Sequence, residues 1–252
     1  MRTTFERGVV AVTVLVPAAP PRSMAGGIPA LAHLLSRYKL PAAWAVAAGS
    51  HETLAAIHEG AGPSEIALWA TEAWSGPNVP RSQFASRLGE YLGVIRAQGC
   101  AIQTLVMSGP PRADRFDLLV KHGICAIGAV DASGRATRAA AVAQLRHGLF
   151  AIAARAFAPA RRTSWLSTPE RAFRRQLQQA AANRGVLHVA IDALEIAAGG
   201  TAEMARLERL LRRAAEFVAR GQLEAATLAA VADRLMPARQ SPPARSILRS
   251  AA

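Results

Sequence analysis

Apolar and polar positions alternate along this chain in two periods, one suited to buried strands and one to one-sided helices. VVAVTVLV (9–16) is a continuous apolar, β-branched run, as expected of a strand covered on both faces. Pro29 opens a short helix with Ile28, Leu31, Leu34 and Leu35 on one side, and AAWAVAA (42–48) returns to strand. HETLAAIHEG predicts a helix stopped by Gly60, and a third strand covers Glu65 to Trp69. SQFASRLGEYLGVIRAQG is amphipathic, with Phe84, Leu88, Leu92 and Ile95 on one face, Ser82 placed to cap it and Gly99 to end it.

The alternation continues through AIQTLVM (101–107), the short helix RADRFDLLVKHG and the strand ICAIGAV (124–130). Residues 131–165 have no clear period, with LRHGLFAIAAR the best strand candidate there. Thr168-Pro169-Glu170 reads as a helix start, and that helix runs to Asn183. GVLHVAID (185–192) is the last long strand; a helix from Glu203 to Ala219 turns Leu207, Leu210, Leu211 and Phe217 inward. QLEA and TLAAVADRLM supply a short strand and a closing helix. Strands separated by helices predict an α/β fold with parallel strands, a (β/α) barrel whose site lies at the C-terminal strand ends. A doubly wound open sheet is the alternative, but no GxGxxG or GxxxxGK[ST] follows any strand. Residues 1–236 are expected to form one domain, and the proline-rich basic tail 237–252 to be disordered.

Composition changes this picture little. Of 252 residues 51% are hydrophobic, enough to build a large core, and no apolar run is long enough to span a membrane. The net charge of +13 favours acidic partners, but Lys39 and Lys121 are the only lysines and the arginines are spread along helices. Triplets such as Arg171, Arg174, Arg175 and Arg206, Arg209, Arg213 read as solvated helix faces, and nucleic acid is not an expected partner. Cys100 and Cys125 adjoin apolar runs and read as buried thiols, in keeping with a reducing, cytoplasmic compartment. The opening MRTTFERGVVAVTVLV loosely imitates a signal peptide, but Glu6 and Arg7 and the β-branched run favour a first strand.

Candidate chemistry collects at the predicted barrel mouth. In SEIALWATEAWS two of the four tryptophans, Trp69 and Trp74, bracket Thr71 and Glu72 where a strand should end. Their rings could stack on a sugar or fill a core. On GVLHVAID, His188, Ala190 and Asp192 alternate onto one face. His188 is either a core histidine with a hydrogen-bond partner or, with Asp192, Glu72 and Glu195, the remnant of a site. Asp131 follows the ICAIGAV strand and is a loop aspartate or a further mouth residue.

Taken in order, several segments resemble the polysaccharide deacetylases, the NodB-like carbohydrate esterase family 4. VVAVTVLV is similar to that family's first strand. IPALAHLLSRYKLPAAWAVAA is similar to its p-x-L-L-x-x-L-x-x-y-x-i-p-A-T-F-F-V passage, with Leu34, Leu35, Tyr38, Pro41, Ala42 and Val46 matching in character. FDLLVKHGICAI, GVLHVAIDALEI and RGQLEAATLAAVADRL follow in the family's order, so the resemblance covers residues 9 to 235. It implies a distorted (β/α)7 barrel that removes acetyl groups from N-acetylated glycans. The chemistry uses a divalent metal held by an aspartate and two histidines, with a second aspartate as base and a late histidine as acid.

The motifs themselves are missing. Where the family's first strand ends in a TFDD-like sequence, this chain has Thr13-Val14-Leu15-Val16. Trp69 and Ala73 fall at the two histidine positions, and Asp192-Ala193 at the late histidine–proline pair. Arg112, in Ser-Gly-Pro-Pro-Arg (108–112), falls near the family's base-orienting arginine, with no base to orient. The resemblance therefore implies a catalytically degenerate member, with no metal expected and with Trp69 in the metal's space, acting by binding a glycan or a protein partner. The alternatives are a divergent hydrolase of N-acetylated glycans using Glu72, Asp192 and His188, and a basic protein that binds acidic polymers.

Overall fold

The computed structural model describes residues 5–18, 26–47, 51–60, 62, 64–109, 111–130, 141–158 and 169–236. Asp131, the cap at Thr168 and the tail 237–252 lie outside them. Strand β1 (Gly8–Val16) has every residue buried. It is paired in parallel with β2 (Ala42–Val46) and β8 (Val186–Asp192). From β2 the ladder runs through β3 (Glu65–Ala70), β4 (Thr104–Ser108), β5 (Ala126–Val130) and β7 (Phe150–Ala158) to β8. The β8–β1 pairing closes a ring of seven parallel strands. Two short strands lie off the ring: β6 (Val142–Gln144), antiparallel to β7, and β9 (Leu223–Ala225), parallel to the start of β1.

Side chains alternate across this wall with the strand's period of two. On β1, Val10, Val12, Val14 and Val16 join the outer core under the helices, whereas Val9, Ala11 and Leu15 face the barrel interior. The interior is lined chiefly by small residues, among them Ala43, Ala45, Ala67, Ala126, Ala154 and Ala190. Closure of seven strands leaves a narrow bore, so a few larger groups fill it: Phe150, Ile152, Trp69 and the inner face of a final helix. Gly128 on β5 makes this possible. A Cβ there would lie 2.9 Å from Leu228 Cδ1 and 3.1 Å from Val106 Cγ2.

The helices cover the outside with the faces their sequences predict. They are α1 (Gly27–Arg37), α2 (His51–Gly60), α4 (Arg81–Arg96), α5 (Phe116–Lys121), α6 (Pro169–Ala182) and α8 (Gly200–Ala219). Phe84, Leu88, Leu92 and Ile95 of α4 are buried, as are Leu207, Leu210, Leu211 and Phe217 of α8. Each such side chain contributes about 1.5–3 kcal/mol of transfer free energy. Ser82 does not cap α4, which starts one residue earlier with Pro80 at the cap position. Two short helices have no periodic signal in the sequence, α3 (Glu72–Ser75) and α7 (Ala193–Ala198).

Helix α9 (Leu228–Leu235) closes the floor of the barrel, with Leu228, Val231, Ala232 and Leu235 in the interior cluster. Thr227 caps it by accepting from Ala230 N, and Glu65 at the start of β3 accepts from Ala229 N at 3.0 Å. Burial pushes the Glu65 carboxyl above its ordinary range, an effect offset in part by the hydrogen bond from Ala229 N. No helix among the described residues is long and apolar enough to cross a membrane.

Candidate functional site

The C-terminal strand ends form the barrel mouth, where folds of this layout keep their chemistry. Beneath it, inside the bore, lies a fully buried polar group, His188. Its Nδ1 is 3.1 Å from the Ile152 carbonyl oxygen and its Nε2 is 2.8 Å from Thr13 Oγ1. A carbonyl can only accept, so Nδ1 carries the proton; Nε2 is then a lone pair and the Thr13 hydroxyl donates to it. Burial holds the imidazole neutral, with its pKa pushed down to about 4. His188 is thus a core histidine with both ring nitrogens engaged.

Asp192 is four residues further along the same face, at the rim. At ~3.3 Å per residue it stands roughly 13 Å above His188, too far for the two to share one ligand atom. Its carboxylate caps α7, with Oδ1 accepting from Leu194 N at 2.9 Å and Glu195 N at 3.1 Å. Glu195 is exposed in the first turn of that helix, and Glu72 is exposed as the first residue of α3. Among the described residues no three His, Cys, Asp or Glu side chains come together in a way that could hold a metal ion.

The two tryptophans part company at the end of β3. Trp69 points into the bore beside Val106, its β4 neighbour, and packs against the interior cluster. Its ring is partly exposed, while its indole Nε1 is buried with no hydrogen-bond partner among the described residues. Trp74 points the other way, into the outer core, where it stacks on Phe84 at 5.6 Å and tilts against Tyr91 at 5.2 Å. With 5% exposure, Trp74 has no free face for a sugar, which corrects its place among the expected ligand contacts.

What turns Trp74 outward is a latch that the sequence does not announce. Arg115, only 2% exposed, donates to the carbonyls of Ser75 at 2.6 Å, Gly76 at 3.1 Å and Val79 at 2.6 Å. Its guanidinium lies 4.6 Å over the Phe84 ring. Ser75 Oγ reaches back to Ala70 O at 3.0 Å and Thr71 O at 2.9 Å. Arg112 grips Asp114 with two bonds of 3.0 Å and also donates to Pro77 O. Neither arginine faces the bore. Both hold the turn that follows β3, and the interior Thr13 was visible in advance only as a polar residue at an inward strand position.

A closed ring of seven parallel strands with helices outside defines the NodB-like deacetylase fold. Solved structures place the chain there. A protein assigned as a polysaccharide deacetylase from Mycobacterium smegmatis superposes with a TM-score of 0.67 at 15% identity, covering 92% of both chains. PuuE allantoinase follows with 0.61 at 10% identity, covering 90% of this chain and 89% of that one. A mutant carbohydrate esterase family 4 pseudoenzyme with restored enzymatic activity gives 0.55 at 11% identity, over 91% of this chain and 69% of that one. No protein-family model matches the sequence, and no curated protein matches it.

The residues present do not fit the divalent metal that this fold implies. The end of β1 offers Leu15 and Val16, hydrocarbon groups without a lone pair. Trp69 brings an indole N–H, which only donates, and its ring packs against the surrounding bore residues. Among the described residues, these positions therefore offer a divalent metal no ligand.

Proposed function

We propose that this chain is a polysaccharide-deacetylase-like protein of carbohydrate metabolism that binds an N-acetylated glycan at its barrel mouth without hydrolysing it. The observation that carries the reading is Trp69, a partly exposed indole set inward at the strand end where a metal ligand would stand. A flat, partly exposed ring suits the apolar face of a pyranose. With Leu15 and Val16 at the end of β1, the described residues of the mouth bring neither the metal ligand nor the base that deacetylation needs. His188 supplies no acid, because both its nitrogens are bonded inside the bore. A fold shared with an allantoinase does not fix the substrate by itself, and a pseudoenzyme whose mutant regained activity supports an inactive state of the same scaffold.

Titration with N-acetylglucosamine oligomers, followed by tryptophan emission, tests this directly. Saturable binding that Trp69→Ala weakens by roughly tenfold or more is expected. Trp74→Ala should act through stability instead. Absence of binding, or binding unchanged in Trp69→Ala, would overturn the reading.

A further inference from the structure

The wall of the mouth beside Trp69 is built from two neighbouring strand ends. Trp69 and Ala70 of β3 pair with Val106 and Met107 of β4. Trp69 and Val106 belong to the interior cluster, whereas Ala70 and Met107 belong to the outer core. The strand's period of two therefore turns the next residue on each side inward again. Those residues are Ser108, the last of β4, and Thr71, whose backbone stays extended at φ −69° and ψ 155°. Both are partly exposed and form the layer directly above Trp69.

Their backbones are fixed while their hydroxyls are not engaged. Thr71 is the cap residue of α3, where a threonine side chain usually accepts from the first turn of the helix, yet it makes no such bond. Its carbonyl instead accepts from Trp74 N at 3.2 Å, Ser75 N at 3.0 Å and Ser75 Oγ at 2.9 Å. Ser108 is held opposite Val130 in the β4–β5 ladder, and Gly109, at φ +86°, breaks the strand immediately after it. Neither hydroxyl has a hydrogen-bond partner among the described residues. Neighbouring strands set the two about 5 Å apart.

We propose that Thr71 and Ser108 are the specificity contacts of the mouth and recognise the acetamido group of a sugar stacked on Trp69. The inference rests on the glycan reading above and adds which group of the sugar is read. A hydroxyl both donates and accepts, so one can donate to the acetamide carbonyl oxygen while the other accepts from its N–H. Trp69 alone does not discriminate, because its ring also stacks on a pyranose without that group. A site that hydrogen-bonds a substituent rejects the sugar that lacks it.

Titration of the full chain with the trimer of N-acetylglucosamine and with the glucose trimer of the same linkage, followed by tryptophan emission, tests the assignment. The wild type should prefer the N-acetylated trimer by roughly tenfold or more. Thr71→Val and Ser108→Ala should each weaken that trimer by roughly threefold to tenfold and change the glucose trimer by less than about twofold. Thr71→Ser keeps the hydroxyl and should keep the preference. Because the Thr71 hydroxyl makes no cap bond, Thr71→Val should leave Tm unchanged, which separates lost recognition from lost folding. No preference in the wild type, or an undiminished one in the double variant, would overturn the assignment and leave the glycan reading standing. Binding of neither trimer by the wild type would overturn both.

Discussion

The Thr13–His188 pair shows how one hydrogen bond settles what a buried titratable group can do. Thr13→Val keeps the shape but orphans the Nε2 lone pair, and an unsatisfied buried acceptor costs about 1–3 kcal/mol. Denaturant unfolding should report that loss without a change in fold. The pH dependence has a definite sign. The imidazole pKa is about 4 in the folded chain against an ordinary 6.5, so below 6.5 the unfolded chain binds the proton first. The stability that the neutral histidine contributes is full above pH 6.5 and is lost progressively toward pH 4. Compared with His188→Gln, the wild type should lose on the order of 3 kcal/mol more across that window. A constant difference between the two proteins would contradict the buried, neutral histidine.

At the scale of elements, the chain was legible where period and punctuation agree. The buried faces of α4 and α8 follow from apolar spacing, and β1 follows from its unbroken β-branched run. Strand β7 was legible only in its first part, within LRHGLFAIAAR, since FAIAARAFA places an arginine mid-strand and the bulge at Arg155 breaks its alternation. Helices α3 and α7 are too short to show a period. That gap matters for the tryptophans. Trp69 follows the strand's alternation into the bore, but Trp74 sits past the switch to α3, and its direction depends on Arg115, which is distant in sequence. Arg115→Met should leave three carbonyls without their donor and cost about 2–4 kcal/mol, read as a lower Tm with red-shifted tryptophan emission. Unchanged emission and Tm would show that the turn after β3 holds without it.

For the whole molecule, the fold was readable from the order of weak segment resemblances, and the closed parallel ring agrees with it. The candidate site was legible mainly through what the strand ends lack. Hydrocarbon at Leu15 and Val16 and an indole at Trp69 are visible in sequence, whereas the capping role of Asp192 and the engagement of His188 needed the folded geometry. The central claim is that the mouth binds without hydrolysing, and acetate release tests it most directly. Incubation with N-acetylglucosamine oligomers, with divalent metal added or with a chelator, should yield no acetate above the protein-free control in either condition. Acetate released in proportion to protein and abolished by the chelator would contradict the account.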